Sequence, residues 1–148
     1  MPSNRVREFY SVESYALIGM SRTRKNFAWT IYDYLRNLGR RVYPVRPDGG
    51  DWQGVTFFES LESLPEKPDA VIIGARPPVT KEVLDSLRNW KPKFLWMQQG
   101  SYNRDILAQA KLLGLDPIKG CVFMYMPGAS SFHGIHRFFN DLLGKGYK

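Results

Sequence analysis

Short apolar runs alternate with amphipathic segments along most of the chain. An apolar run of this length predicts a β-strand, whereas apolar residues spaced three and four positions apart predict one face of an α-helix. The run at residues 69–75 is apolar on both faces, as expected for a central strand of a parallel sheet. The pattern predicts further strands at residues 15–18, 41–45, 55–58, 94–97 and 117–124.

Helical spacing fills the intervals between these strands. Helices are predicted at residues 5–14, 26–38, 60–64, 80–90, 103–113 and 131–143. Strands that alternate with helices form βαβ units with right-handed crossovers. The predicted fold is therefore a three-layer, doubly wound α/β sheet of about five to six parallel strands. The 148 residues fit one domain, with a leading helix at 1–14 and a C-terminal helical extension at 125–148.

A sheet of this kind binds ligands outside the carboxyl ends of its strands, at the switch point of the strand order. The loops at those ends begin at Gly19, Arg46, Arg76, Gln98 and Cys121. We therefore expect the functional site in these loops.

The loop after the first predicted strand has the layout of a phosphate-binding turn. Gly19 allows a sharp turn off the strand, and the helix that follows offers unpaired N–H groups and the positive end of its dipole. Arg22, Arg24 and Lys25 add positive charge in the same loop. The alternative is a solvated turn that carries ordinary surface cations.

The same loop lacks the glycine pattern that binds dinucleotides. A G-x-G-x-x-G motif that begins at Gly19 needs glycines where the chain has Ser21 and Arg24. An NAD-binding fold also carries Asp or Glu at the end of its second strand, to hold the ribose hydroxyls. This chain has Arg46 there, which suits a phosphate on the ribose. The sequence therefore disfavours NAD.

Several motifs occur in the order and spacing of a known family. They are Gly19-Met20-Ser21-Arg22 with Lys25 and Phe27, Val42-Tyr43-Pro44-Val45-Arg46-Pro47, Ala75-Arg76-Pro77-Pro78-Val79, Trp96-Met97-Gln98-Gln99-Gly100, and Gly120-Cys121. On these motifs the chain resembles the stand-alone CoA-binding proteins, which are related to the CoA-binding domain of the succinyl-CoA ligase α subunit. The resemblance covers about residues 15–124 and implies a Rossmann-like fold with coenzyme A, or an acyl-CoA, as the ligand.

The resemblance also implies which part of the ligand each loop contacts. The first loop would contact the CoA phosphates, the second the adenosine end, the third the length of the ligand and the fourth the pantetheine side. The residues concerned are, in that order, Ser21, Arg22 and Lys25; Arg46 and Pro47; Pro77 and Pro78; and Gln98, Gln99 and Gly100. The predicted binding set also includes Gly19, Met20, Asn26, Phe27, Arg76 and Cys121. Arg46, Arg76 and Gln99 depart from the family's usual Asn, apolar residue and Pro.

Charge and composition narrow the range of partners. The net charge of +7 favours an anionic partner, but the chain has no basic arm, zinc-finger spacing or RNP-like motif. Nucleic-acid binding is therefore an alternative with little support. The sequence has neither a membrane-length apolar run nor the apolar core of a signal peptide, and its single cysteine fits a reducing compartment. We expect a cytoplasmic protein that binds a small molecule, with a second copy or a partner enzyme subunit as possible assemblies.

No catalytic machinery is recognisable in the loops. Cys121 is either a nucleophile or mixed-disulfide partner of the CoA thiol, or a small buried residue. His133 and His136 share a predicted helix face, but two ligands rarely hold a metal, so no metal site is predicted. The predicted function is binding of CoA without catalysis. The alternatives are an NADP-type enzyme and a subunit of an acyl-CoA ligase.

Overall fold

The computed structural model describes residues 4–122, and the predicted C-terminal helix lies outside them. Helices and strands follow one another along the chain in the predicted alternation. The elements are α1 (Asn4–Ser11), β1 (Ser14–Ile18), α2 (Phe27–Asn37), β2 (Arg41–Val45), β3 (Gly50–Trp52), β4 (Val55–Phe57), β5 (Ala70–Ile73), α3 (Pro77–Ser86), β6 (Phe94–Met97), α4 (Arg104–Leu112) and β7 (Ile118–Lys119). A short 3-10 helix at Leu61–Ser63 precedes β5.

Within residues 4–122, the main sheet has five parallel strands in the order β2-β1-β5-β6-β7. In its register, Tyr15 of β1 lies between Val42 of β2 and Ala70 of β5. Every residue of β1, β5 and β6 is buried, which explains why these strands are continuous apolar runs in the sequence. The predicted doubly wound α/β fold is confirmed.

Helices cover both faces of this sheet. Tyr15 and Leu17 of β1 pack in a core with α1 and α2, whereas Ala16 and Ile18 pack in a second core with α3 and α4. The alternation follows from the two-residue period of a strand, which sends successive side chains to opposite faces. The result is a three-layer arrangement with one hydrophobic core on each side of the sheet.

The switch point of the sheet lies between β1 and β5. The chain leaves β1 for a helix on one face and leaves β5 for a helix on the other face, so the two loops diverge. Gly19 and Gly74 follow these strands directly, and the Gly74 N–H donates a hydrogen bond of 2.8 Å to the Ile18 carbonyl. Gly19 has φ +122°, and a Cβ placed on it would lie 2.4 Å from the Gly74 oxygen. The loops are therefore in backbone contact at the switch point.

The structure corrects several predicted boundaries. Helix α1 ends at Ser11 rather than at residue 14, because Ser14 already belongs to β1. Helix α3 begins at Pro77 and ends at Ser86, instead of spanning 80–90. Proline is favoured in the first turn of a helix, where its missing N–H is not needed. Of the last predicted strand, 117–124, the structure describes residues 117–122, and within these the strand is Ile118–Lys119.

The predicted strand at 55–58 does not enter the parallel sheet. Val55–Phe57 pairs antiparallel with Gly50–Trp52, and the two form a separate hairpin. Its turn residues Gln53 and Gly54 have φ +54° and +76°, which is the pattern of a type I′ turn. Phe58 then makes an isolated parallel bridge to Val45 beside the outer edge of β2. The hairpin therefore stands next to the carboxyl end of β2.

Candidate ligand-binding site

The loops that carry the predicted binding set lie along one edge of the sheet, which we call the carboxyl edge. Because the five strands are parallel, the loops that follow them all begin on the same side. The loops begin at Gly19, Arg46, Gly74, Gln98 and Gly120. The fold thus places the loops that contain the predicted residues on the same side of the sheet.

Asn26 holds the loop after β1 in shape. Its side-chain amide donates to the Gly19 carbonyl at 2.8 Å, and its side-chain oxygen accepts from the Ser21 N–H at 3.4 Å. Asn26 is the N-cap residue of α2, yet its side chain makes no capping hydrogen bond to the helix. A helix start without a side-chain cap keeps its dipole and its first N–H groups directed at the loop. Such a helix start is suited to an anion.

Trp29 supports this loop from the core side. Its ring is 3% exposed, and its indole N–H donates to the Ser21 carbonyl at 2.7 Å. Trp52 of the hairpin packs edge-on against it, with ring centroids 5.3 Å apart. The Lys25 ammonium lies 5.4 Å from the centroid of the Trp29 ring. Trp29 therefore connects the first loop to the hairpin and offers no open face for stacking.

Two arginines from different loops contact one carboxylate, and we call this group the Arg22–Asp48–Arg46 cluster. Arg22 Nη2 lies 2.6 Å from Asp48 Oδ2, and Arg46 Nε lies 3.1 Å from Asp48 Oδ1. Arg46 Nη1 also donates to the Met20 carbonyl at 2.9 Å, which ties the end of β2 to the first loop. Hydrogen bonds from Arg46 and then Arg22 lower the pKa of Asp48 to about 2. Asp48 is therefore ionised at physiological pH.

The predicted binding residues differ in their exposure. Those on the surface are Lys25, Pro47, Arg76, Pro78, Gln99 and Gly100. Those partly buried are Gly19, Ser21, Arg22, Asn26, Phe27, Arg46, Pro77 and Cys121. Those buried are Met20 and Gln98. The buried pair has its side chains in the protein interior, so a ligand reaches the surface and partly buried groups more easily.

Gln98 joins the ends of β6 and β7. Its side-chain oxygen accepts from the Val122 N–H at 2.6 Å, and its amide nitrogen lies 3.9 Å from Cys121 Sγ. The Ser101 hydroxyl donates to the Gln98 carbonyl at 2.6 Å. The contacts with Val122 and Cys121 satisfy the side chain of Gln98, a polar residue that is 6% exposed. Gln98 thus organises this end of the carboxyl edge, with the partly buried Cys121 thiol beside it.

The described residues hold no candidate metal site and no membrane-spanning helix, but they do form a further groove. Residues 4–122 contain no group of three or more His, Cys, Asp or Glu side chains arranged to hold a metal ion, and His133 and His136 lie outside this range. Within the same range, no helix has the length and apolar character needed to cross a bilayer. A groove that contains none of the predicted binding residues is lined by Leu107, Lys111, Leu115, Asp116, Pro117 and Lys119.

Comparison with known proteins places this edge in a family context. Residues 13–127 match the CoA binding domain family, which is more than half of the chain. The chain belongs to the CoA binding domain family. This CoA-binding domain protein is similar in structure to a hypothetical protein from Pyrococcus horikoshii OT3, with a TM-score of 0.73 and 27% identity over 82% of this chain and 87% of that one.

Other solved structures share the fold of this CoA-binding domain protein. A protein from Thermus thermophilus has a TM-score of 0.71 and 24% identity over 84% of this chain and 95% of that one. Prb, which is described as redesigned for binding, has a TM-score of 0.72 and 23% identity over 97% of this chain and 94% of that one. No curated protein matches the chain.

Sequence reasoning missed two residues of the carboxyl edge. Asp48 lies in an Arg-Pro-Asp-Gly-Gly stretch, whose residue types are typical of a turn. A single acid within a basic loop is the signal that could have identified it. Gly74 follows the most apolar strand, and a glycine at the end of a central strand is a sign of close backbone approach.

Proposed function

We propose that the protein binds coenzyme A or an acyl-CoA along the carboxyl edge, with the loop after β1 at the ligand's phosphates. Membership of the CoA binding domain family supports the ligand class. The observation that supports placing the ligand at this edge is the backbone contact between Gly19 and Gly74 at the switch point. A Cβ on Gly19 would collide with the Gly74 carbonyl, whereas glycine lets an anionic ligand approach the backbone closely.

The charge distribution at the edge supports the phosphate assignment. The start of α2 contributes the positive end of a helix dipole, and Arg22 and Arg46 are held within reach of the same loop by Asp48 and the Met20 carbonyl. Lys25 is exposed next to them. Guanidinium groups match phosphate oxygens in geometry and charge. A ligand with several phosphates therefore finds several donors close together.

The proposal includes no reaction. The polar side chains that hold the carboxyl edge together are mostly amides, hydroxyls and cations, and they are engaged in the loop contacts described above. Asp48, the carboxylate of the Arg22–Asp48–Arg46 cluster, lies between two arginines with its pKa lowered to about 2, so it is a poor proton acceptor. The chemistry of the edge thus favours holding a ligand over transforming it.

We expect CoA to raise the melting temperature of the protein. A ligand present at about 100 times its Kd stabilises the folded state by about 2.7 kcal/mol. At this chain length that corresponds to an increase of roughly 5–10 °C. The measurement is thermal unfolding with millimolar CoA or acetyl-CoA, followed by calorimetric titration. Absence of both a thermal shift and binding heat would refute the proposed function.

Arg46 is expected to favour CoA over 3′-dephospho-CoA. If its guanidinium contacts the 3′-phosphate, Arg46→Ala should remove about 1–2 kcal/mol of that preference, because a charge-assisted hydrogen bond is lost. Both ligands are titrated against both proteins in a double-mutant cycle. Arg41→Ala, at the opposite end of β2, is the matched control, since it removes the same charge and should leave the preference intact. A coupling energy near zero would contradict the role of Arg46.

A further inference from the structure

The three side chains of the Arg22–Asp48–Arg46 cluster are not held equally firmly. Arg22 and Arg46 are 30% and 33% exposed, whereas Asp48 is 51% exposed. Arg46 is anchored by the Met20 carbonyl independently of Asp48. Arg22 Nη1 lies against the backbone at Gly50, where an added Cβ would be 2.5 Å away. The carboxylate is therefore the most exposed member, and Arg46 has a hydrogen bond that does not depend on it.

The arginines are also not fully satisfied by this carboxylate. Arg22 Nε is buried and has no hydrogen-bond partner among the described residues. Asp48 accepts one hydrogen bond from each guanidinium, through Arg22 Nη2 and Arg46 Nε. Each guanidinium carries five N–H donors in a planar fork, so a group with more acceptor oxygens satisfies the pair better than one carboxylate does.

The exposure of Asp48 gives its carboxylate room to turn away from the two arginines. With half of its side-chain surface in solvent, Asp48 reaches water by a change of rotamer. Displacing the carboxylate thus leaves it solvated and leaves the hydrogen bond from Arg46 to the Met20 carbonyl intact.

We propose that Asp48 is an internal anion that a phosphomonoester of the ligand displaces from Arg22 and Arg46. The inference rests on the proposed function and deepens it. A phosphodiester oxygen carries no more charge than the carboxylate that it must replace. A phosphomonoester approaches a charge of −2 at neutral pH and offers three acceptor oxygens. Of the two kinds of phosphate, only the monoester therefore interacts clearly more strongly with the two arginines than the Asp48 carboxylate does.

The test compares Asp48→Asn with the wild-type protein by calorimetric titration of CoA and 3′-dephospho-CoA. Asparagine keeps the size of the side chain and removes its charge, so the phosphate no longer competes with an anion. We expect CoA to bind roughly three- to tenfold more tightly, which is the scale of two partly exposed ion pairs. The affinity for 3′-dephospho-CoA should change by less than about twofold, since it lacks the monoester.

Asp51→Asn is the matched control. Asp51 is an exposed acid in β3 of the neighbouring hairpin, so its replacement changes the net charge by the same amount. It should alter the two affinities by a similar small factor. Weaker CoA binding by Asp48→Asn would show instead that Asp48 positions the arginines. Equal gains for both ligands, or gains matched by Asp51→Asn, would reduce the effect to general electrostatics. Each of these three results would overturn the proposal.

Adenosine 3′-monophosphate separates this inference from the proposed function. Its affinity should rise in Asp48→Asn and not in Asp51→Asn, with unmodified adenosine as the ligand control. If CoA does not bind and this gain persists, the proposed function fails and the role of Asp48 stands. If CoA binds and the monophosphate shows no gain, or no binding to either protein, the proposed function stands and the role of Asp48 is refuted. Melting temperatures of the variants confirm that each is folded.

Discussion

Gly19→Ala is expected to destabilise the fold by about 3–5 kcal/mol, because two costs add at this position. The residue has φ +122°, where an L side chain is strained. The new Cβ would also lie 2.4 Å from the oxygen and 2.7 Å from the carbonyl carbon of Gly74. Both atoms belong to the backbone next to β5, so relief requires the two central strands to move apart. Denaturant unfolding of the variant and the wild type measures the loss.

Gly120→Ala separates the two costs. Gly120 has φ +124°, almost the same as Gly19, but no described atom lies within 4 Å of a Cβ built on it. Its replacement should therefore cost about 1–3 kcal/mol from backbone strain alone. The difference between the variants reports the contact at the switch point. Equal losses would mean that Gly19 and Gly74 are not in the close contact described here.

Arg22→Ala and Lys25→Ala are expected to weaken CoA binding by about 1–3 kcal/mol each, because each removes a charge-assisted hydrogen bond to phosphate. Both residues lie in the loop that leads to the start of α2. Pantetheine has no phosphate, so its affinity should be the same for the variants and the wild type. Calorimetric titration of both ligands checks the prediction. Equal losses for CoA and pantetheine would mean that the loop acts through folding.

Arg36→Ala provides the control for charge. Arg36 lies in the last turn of the same helix and is exposed, so its replacement removes one positive charge away from the loop. At moderate ionic strength, charges separated by more than about 10 Å are largely screened. CoA affinity should therefore be nearly unchanged in this variant. A loss as large as that of Lys25→Ala would attribute binding to net charge rather than to the loop.

The sheet could be predicted from the sequence because burial on both faces produces continuous apolar runs. Residues 69–75 and 94–97 illustrate this, and both contain strands of the sheet. The start of α3 was predicted too late, since Pro77 and Pro78 were interpreted as loop residues although proline is common in the first helical turn. Periodicity locates the body of an element better than it locates its ends.

The hairpin was missed for a local reason. Its strands have three residues each, too short for a period of two to show, and β3 is mostly exposed. Its turn places Gln53 at φ +54° beside Gly54. Asn and Asp are the usual residues before glycine in such turns, so Gln-Gly gives a weak signal. The hydrophobic pattern therefore does not predict the separate hairpin, although it predicts one of its two strands.

The site was predictable in outline, but its side-chain partners were not. The carboxyl-end loops follow from the order of strands and helices, and the fold places them along one edge. The contacts between Arg22 and Asp48, and between Arg46 and the Met20 carbonyl, join residues 26 positions apart in the chain. Such contacts depend on how β1 and β2 pair, and local sequence patterns do not predict that pairing.

The central claim is that CoA binds at the carboxyl edge, and amide chemical-shift mapping of the isotope-labelled protein tests it most directly. On addition of CoA, we predict the largest shifts at residues 19–27, 46–50 and 74–78. The groove lined by Leu107, Leu115 and Lys119 should show little change. Shifts concentrated in that groove, or no shifts at millimolar CoA, would contradict the account.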